Sequence, residues 1–165
     1  MRRPRSSCDW KVLIVDDDQQ YYLGLRSAFA SEYAFLIKAQ RFHWNVEGRH
    51  FYSDHGLFQT IYEEVQEIID DFAENLRKLQ LFAPASLGEL SMLSMISDAS
   101  DGLVAEEMLQ VLLDDSDKMV SIFRMMFEIA EEHGDHGLSN FLADRQDAHA
   151  KHSWMLRSSL KVLSG

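Results

Sequence analysis

The sequence predicts an all-α fold, a four-helix bundle with a short extra helix between the second and third long helices. Three observations support this prediction. Apolar residues recur at steps of three and four along four long segments, which is the period of an amphipathic helix. Only two prolines and eight glycines occur in 165 residues, so long helices are allowed. After residue 16, no segment has the continuous apolar character of a buried strand.

Helix boundaries follow from capping residues and from breaks in this periodicity. Asp16, Asp17 and Asp18 suit the positive N-terminal end of the first helix, and Pro84 follows the second. We predict helices over residues 17–42, 54–81, 86–95, 102–132 and 138–162. The apolar positions expected to face the core are Leu25, Phe29, Leu36, Ala39, Phe58, Ile61, Val65, Ile68, Phe72, Leu76, Leu79, Val104, Met108, Val111, Leu112, Met119, Ile122, Phe123, Met126, Ile129, Phe141, Leu142, Met155, Leu156 and Leu160.

Residues 12–18 suggest a different fold. The segment Val12-Leu-Ile-Val15-Asp16-Asp17-Asp18 looks like the first strand and acidic residues of a response-regulator receiver, whose carboxylates hold a magnesium ion. Such a domain needs alternating strands and helices, with an apolar strand before its phosphorylated aspartate. The residues before Asp54, the position that would fit, are Arg49-His-Phe-Tyr-Ser53, which do not form such a strand. We therefore reject the receiver fold.

The chain is strongly acidic, with a net charge of −11 and a pI near 4.9. A surface of this charge repels nucleic acid and attracts cations. We predict that residues 16–165 form one domain and that residues 1–15 form a flexible N-terminal tail. Basic residues are concentrated only in this tail, which is either an arm that contacts DNA or a solvated terminus. They are Arg2, Arg3, Arg5 and Lys11.

Cysteine content and hydropathy restrict the compartment and the type of site. The single cysteine, Cys8, excludes an intramolecular disulfide and thiolate-rich zinc or iron–sulfur sites. The first eleven residues lack the apolar stretch of a signal peptide, and no apolar run reaches membrane-spanning length. We therefore expect a cytoplasmic protein with no membrane partner.

Four polar side chains on the second predicted helix share one face. His55 and Gln59 are one turn apart, as are Asp70 and Glu74, and at roughly 100° per residue the two pairs point in nearly the same direction. His55 and Asp70 nevertheless lie about 22 Å apart along the helix, whereas a metal–ligand bond measures about 2 Å. One metal site can use both pairs only if a second subunit supplies one of them, as an antiparallel twofold dimer does.

A second histidine can join His55 within the same chain. His43 lies at the end of the first predicted helix, just before the break at Asn45-Val-Glu-Gly48, and can lean toward His55. The ligand set is then two imidazoles from one chain and two carboxylates from its mate. Nitrogen and oxygen ligands without sulfur suit iron, manganese or zinc.

These residues resemble the signature of the Dps family, the miniferritins of bacteria. The resemblance lies in His43-Trp-Asn-Val-Glu-Gly48, in His55, and in Asp70-Asp-Phe-Ala-Glu74, at matching spacings. The segment 140–157, which contains Lys151-His-Ser-Trp-Met-Leu-Arg157, is similar to the last helix of the family. The similarity covers about residues 16–162, and several motifs matching together are far more specific than one.

The resemblance implies a ferritin-like bundle that assembles into a hollow dodecamer of twofold dimers. It implies a ferroxidase that oxidises Fe²⁺, mainly with hydrogen peroxide, at sites between subunits and stores ferric mineral inside the shell, which protects against oxidative stress. By matching positions, the iron ligands are His43, His55, Asp70 and Glu74, and the same site could take Zn²⁺ or Mn²⁺. Trp44 would be an oxidisable neighbour of the site.

This chain departs from the family pattern at one ligand position. The family usually has an aspartate one turn after the second histidine, where this chain has Gln59. A neutral amide is a weaker ligand for a hard cation, so we expect one firm metal position and a weaker second one, which His50 could help to complete. The resemblance also implies acidic threefold pores. The pore candidates are Glu131, Glu132, Asp135 and Asp144.

Two alternatives to the miniferritin stay open. One is a shell that protects or compacts DNA with little or no ferroxidase activity. Gln59, which stands where the family has a carboxylate, would favour this alternative. The other is a ferritin proper, but its diiron site inside one bundle needs two Glu-x-x-His motifs, and Glu47-Gly-Arg-His50 is the only such string. His133, His136, His149 and His152 are either further metal ligands or polar structural groups.

Overall fold

The computed structural model describes residues 17–161, which form five helices. They are α1 (Asp17–Asn45), α2 (Phe51–Lys78), α3 (Leu87–Leu93), α4 (Ala105–Glu132) and α5 (His136–Ser159). These residues contain no strand, so the predicted all-α bundle with a short extra helix is confirmed and the receiver fold is wrong. The tail 1–15, with Cys8 and its basic residues, lies outside the described residues. No helix between residues 17 and 161 is long and apolar enough to cross a bilayer.

The helix boundaries differ from the predicted ones by a few residues. α1 continues beyond Phe42, so that His43 and Trp44 are still helical, and the chain then turns at Gly48, whose φ of 121° favours glycine. α2 begins at Phe51 and ends at Lys78, three residues earlier than predicted at each end. α3 begins after Ser86, whose hydroxyl accepts a hydrogen bond from the Glu89 backbone N–H at 3.2 Å.

The long helices pack as two hairpins, α1 with α2 and α4 with α5, and α1 also packs against α4. The connection between α2 and α4 carries α3 across α1. Lys38 of α1 holds this connection by donating to the Ser97 carbonyl at 2.6 Å, and it also pairs with Asp115 of α4. The contact between α2 and α5 is slight, and a cleft of about 340 Å³ lies along it.

Most of the predicted apolar positions lie in the core. The fully enclosed ones include Leu25, Phe58, Ile61, Val65, Phe72, Leu76, Leu112, Met119, Phe123, Leu142 and Leu156. Seven of the predicted positions are only half-buried: Ile68, Leu79, Val111, Ile129, Phe141, Met155 and Leu160. The prediction for Val104 is wrong, because this residue precedes the first turn of α4 and is 61% exposed.

Candidate metal centre

The structure brings His43 and His55 together at the junction of α1 and α2. Their rings stack with centroids 3.7 Å apart and planes inclined by 22°. Nδ1 of His43 donates a hydrogen bond to the His55 carbonyl at 2.9 Å, and Nδ1 of His55 donates to the His43 carbonyl at 2.7 Å. Since a carbonyl can only accept, Nδ1 of each ring carries the proton. In the neutral ring, Nε2 then has a free lone pair, which is the arrangement that metal-binding histidines use.

Aromatic neighbours hold the two rings in place. Phe51 stacks on His55 with centroids 4.9 Å apart, and Tyr62 meets His43 edge-on at 5.2 Å. Trp44, the predicted redox neighbour, is next to His43 in α1 and is 68% exposed. The ring pair is therefore rigid, and exposed aromatic surface adjoins it.

Gln59 follows His55 by one turn of α2, as predicted, but its amide is already engaged. Its Nε2 donates to Glu63 Oε1 at 2.7 Å. His50 occupies the N-terminal cap position of α2 and is exposed. Whether either residue ligates iron stays a prediction.

We expect Gln59→Asp to strengthen the second metal position. The change places a carboxylate where a neutral amide now stands, and carboxylate oxygen is the better ligand for a hard cation. The expected result is more Fe²⁺ bound per chain at saturation, measured by anaerobic calorimetry, and faster oxidation. Gln110→Asp is the matched control, because Gln110 also donates to an acid one turn on, Asp114 at 2.7 Å. Equal stoichiometry in the two variants would contradict the prediction.

Asp70 and Glu74 lie on the same helix as His55, exposed and far along it from the ring pair. No three His, Cys, Asp or Glu side chains between residues 17 and 161 converge on a point where they could hold a metal ion. One chain thus presents two separate halves of the predicted ligand set. Its assembly from two subunits stays a prediction.

A buried ionic cluster inside the bundle combines His149 and His152 with three residues that the sequence analysis missed: Glu32, Glu64 and Arg145. Glu32 of α1 is fully buried and accepts from Arg145 Nη2 at 2.7 Å and from His149 Nε2 at 2.7 Å. Arg145 also pairs with Glu64 of α2, which lies 3.3 Å from His152 Nε2. The detectable signal was in the apolar stripe of α1, where Glu32 stands between Phe29 and Leu36 at core spacing.

The charges of this cluster lower the pKa of both carboxyl groups. Burial alone would raise the pKa of Glu32, but the charges of His149 and Arg145 and their hydrogen bonds hold it below its ordinary value. Burial acts in the same way on Glu64, yet hydrogen bonds from His152 and Arg145 lower its pKa to about 2. Both groups are therefore carboxylates near neutral pH.

We expect the protein to lose stability as the pH falls from about 4.5 toward about 2. The pKa of Glu64 is about 2 in the folded chain, against an ordinary 4.5, so its stabilising effect is complete above the ordinary value and disappears below it. Urea unfolding at a series of pH values measures the slope. Glu64→Gln should be less stable at neutral pH and show a shallower slope. Glu67→Gln controls for net charge, because it removes an exposed charge from the same helix. Equal slopes in both variants would contradict the assignment of this pH dependence to Glu64.

The predicted pore residues occupy two regions. Asp135 precedes α5 and accepts from the buried Tyr21 hydroxyl at 2.9 Å, and His133 stacks on the Tyr21 ring at 4.3 Å. Glu131, in the same turn, accepts from Ser139 and from His136, and these hydrogen bonds lower its pKa. Exposed Glu132 ends α4, whereas Asp144 lines the cleft between α2 and α5. Three of the four acids thus lie where α4 ends and α5 begins, and their place at a pore stays a prediction.

Known proteins resemble this chain over most of its length. The ferritin-like domain family model matches residues 23–165. DNA protection during starvation protein 2 of Bacillus anthracis is 32% identical over 125 residues, which cover 76% of this chain and 86% of that protein.

Solved structures of Dps proteins also resemble this chain over most of its length. The Dps structure from Staphylococcus aureus is 28% identical and superimposes with a TM-score of 0.83, over 87% of this chain and 97% of that chain. The Dps structure from Vibrio cholerae O1 is also 28% identical and has a TM-score of 0.82, over 88% of this chain and 91% of that chain. That protein is described as a member of a broad superfamily of ferritin-like diiron-carboxylate proteins.

Proposed function

Because the chain belongs to the Dps family of ferritin-like proteins, we propose that it oxidises ferrous iron at sites shared between two subunits and stores ferric mineral inside a dodecameric shell. The observation that carries the proposal is the His43–His55 pair, whose two Nε2 atoms are left free by reciprocal bonds from Nδ1 to the backbone. Iron is the substrate that fits nitrogen and oxygen ligands in a diiron-carboxylate superfamily.

The partner subunit completes the site in this proposal. His43 and His55 of one chain face Asp70 and Glu74 of the partner subunit across a twofold axis, which generates two equal sites per dimer. The imidazoles bind Fe²⁺ without adding charge, and the carboxylates offset the charge gained on oxidation. Exposed Trp44 next to His43 supplies apolar surface for such a contact.

The chemistry uses hydrogen peroxide as a two-electron oxidant. Two ferrous ions each give one electron to the peroxide, its O–O bond breaks, and two protons complete two water molecules. Pairing the electrons avoids the release of hydroxyl radical and so protects the cell against oxidative stress. Ferrous iron enters through pores lined by acids at the junction of α4 and α5. The net charge of −11 per chain attracts the cation. The proposed compartment is the cytoplasm.

Titration of the iron-loaded protein with hydrogen peroxide under anaerobic conditions tests this function. The expected result is two ferrous ions oxidised per peroxide, with a spin trap reporting far less hydroxyl radical than iron without protein. Iron without protein is the control for ordinary Fenton chemistry. A stoichiometry and radical yield equal to that control would overturn the proposal.

Protection of DNA is the second candidate, favoured by the relative in Bacillus anthracis, whose name states it. Contact with DNA would rely on Arg2, Arg3, Arg5 and Lys11, against a body of strongly negative charge. A gel shift at physiological salt, with the full chain and with residues 1–11 removed, separates the candidates. A shift that depends on this tail supports DNA protection, and its absence supports the iron function alone.

A further inference from the structure

The buried cluster contains side chains of the kinds that bind metal ions, arranged around a side chain that is itself a cation. Two carboxylates and two imidazoles from three helices surround Arg145, and we call them the interior cage. The cage consists of Glu32 (α1), Glu64 (α2), His149 and His152 (α5). Carboxylate oxygen and imidazole nitrogen are also the ligands that divalent iron, cobalt and zinc accept.

Arg145 fills this cage through a dense set of hydrogen bonds. Its Nε and Nη2 donate to Glu32 Oε1 at 3.1 Å and 2.7 Å, while Nη1 and Nη2 donate to the two oxygens of Glu64, the second at 3.1 Å. The Arg145 side chain is only 4% exposed. A guanidinium cannot be deprotonated in a protein, so it is a permanent positive charge between the two carboxylates.

The histidines of the cage turn their Nε2 atoms toward its carboxylates, His149 at 2.7 Å from Glu32 and His152 at 3.3 Å from Glu64. Nδ1 of His149 and Nδ1 of His152 are buried, and no atom of residues 17–161 hydrogen-bonds to either. Burial lowers the pKa of His152, which keeps its ring neutral near neutral pH. Nε2 is therefore the imidazole atom that a metal ion at the centre of the cage would use, in place of the proton that it now shares with a carboxylate.

A route from solvent leads to the edge of the cage. The cleft between α2 and α5 is lined by Glu64 and His152 together with Asp144 and Asp147. The three acids of the cleft outnumber its one basic residue, Lys151, so a divalent ion can approach the cage from the surface. Arg145 links the cleft to the centre of the bundle, because it pairs with Glu64, which lines the cleft, and with Glu32, which is fully buried.

We propose that Arg145 is the resident cation of the interior cage and excludes divalent metal ions from the centre of the bundle. Its permanent charge offsets part of the negative charge of the two carboxylates without any ion from solution and repels an ion that enters the cleft. Metal binding is then confined to the His43–His55 pair at the helix junction. Exclusion from the cage does not depend on the proposed iron oxidation and is tested without it.

The test removes Arg145 and measures binding of Co²⁺ alone. All chains carry His43→Ala and His55→Ala, so that the junction does not compete for the metal. Adding Arg145→Ala should create a site that retains about one Co²⁺ per chain through gel filtration, with the visible absorption of cobalt bound by nitrogen and oxygen. Arg157→Ala is the matched control, because Arg157 lies on the same helix and pairs with Asp117 on the surface. Arg145→Lys keeps the charge and should retain no Co²⁺.

Each outcome decides the proposal. Retention of Co²⁺ only in Arg145→Ala, lost again when His149→Gln is added, supports it. If Arg145→Ala folds only when refolded with Co²⁺, metal-dependent folding supports it equally, because the ion replaces the missing charge. The proposal is overturned if Arg145→Ala retains no Co²⁺ or stays unfolded with it. It is also overturned if the chain that keeps Arg145 holds a metal ion tightly and loses this ion when His149→Gln is added.

Discussion

Chains with His43→Ala and His55→Ala should lose peroxide-driven iron oxidation by about 100-fold or more, and so should chains with Asp70→Ala and Glu74→Ala. Each pair supplies half of the proposed ligand set, and iron held by half a set does not stay in place for the reaction. Stopped-flow absorbance of ferric product measures the rate. His136→Ala and Asp71→Ala remove an exposed histidine and an exposed acid beside Asp70, and they should leave the rate nearly unchanged.

Mixing the two inactive chains gives a sharper result. In a twofold dimer of one chain of each kind, the histidines of one and the acids of the other complete one of the two sites. Random pairing makes half of the dimers mixed, so unfolding the chains together and reassembling them should restore about one quarter of the activity. Each chain reassembled alone should stay inactive. A mixture as inactive as its components would contradict the shared site, and full activity in either component would contradict the ligand assignment.

Replacing Glu32 by alanine should lower the free energy of unfolding by about 3–5 kcal/mol, as expected when one partner of a buried ion pair is removed. Arg145 then keeps only Glu64, and the Nε2–H of buried His149 loses its acceptor. Urea unfolding followed by circular dichroism, at one fixed protein concentration, measures the change, since assembly makes stability depend on concentration.

A surface ion pair provides the control for this loss. Glu89 pairs with Arg26 where about a third of each side chain is exposed, so Glu89→Ala should cost about 0–1 kcal/mol. A loss for Glu32→Ala no larger than that for Glu89→Ala would show that the buried network contributes little. Removing Glu32 and Arg145 together should cost less than the sum of the single losses, because the two side chains share contacts.

The fold was largely predictable, since apolar residues at helical spacing mark the face of each helix that is buried. Membership of the Dps family, suggested by the motifs around His43 and Asp70, is confirmed as well. Helix ends were less predictable, because α1 runs through His43 and Trp44 before Gly48 turns the chain. The end of α1 depends on how the chain packs against α2, which no local pattern records.

The candidate site was predictable only in its residue types. The spacing of His43 and His55 indicated that they approach, but their reciprocal hydrogen bonds depend on the angle between two helices. The interior cluster escaped prediction for a different reason. Glu32 stands in an apolar stripe with no charged neighbour at core spacing, and its partner Arg145 lies 113 residues away in the chain.

The junction of α1 and α2 has a consequence for turnover. Each imidazole is anchored by the main chain of the other helix, so the histidine half of the proposed iron site has its final shape before any ion arrives. Binding at the proposed site then requires little reorganisation of the protein. The junction of α1 and α2 also keeps its shape when the oxidised ion leaves. A protein that takes up and passes on many ions in succession benefits from such a preformed site, because no bound ion is needed to hold the two helices together.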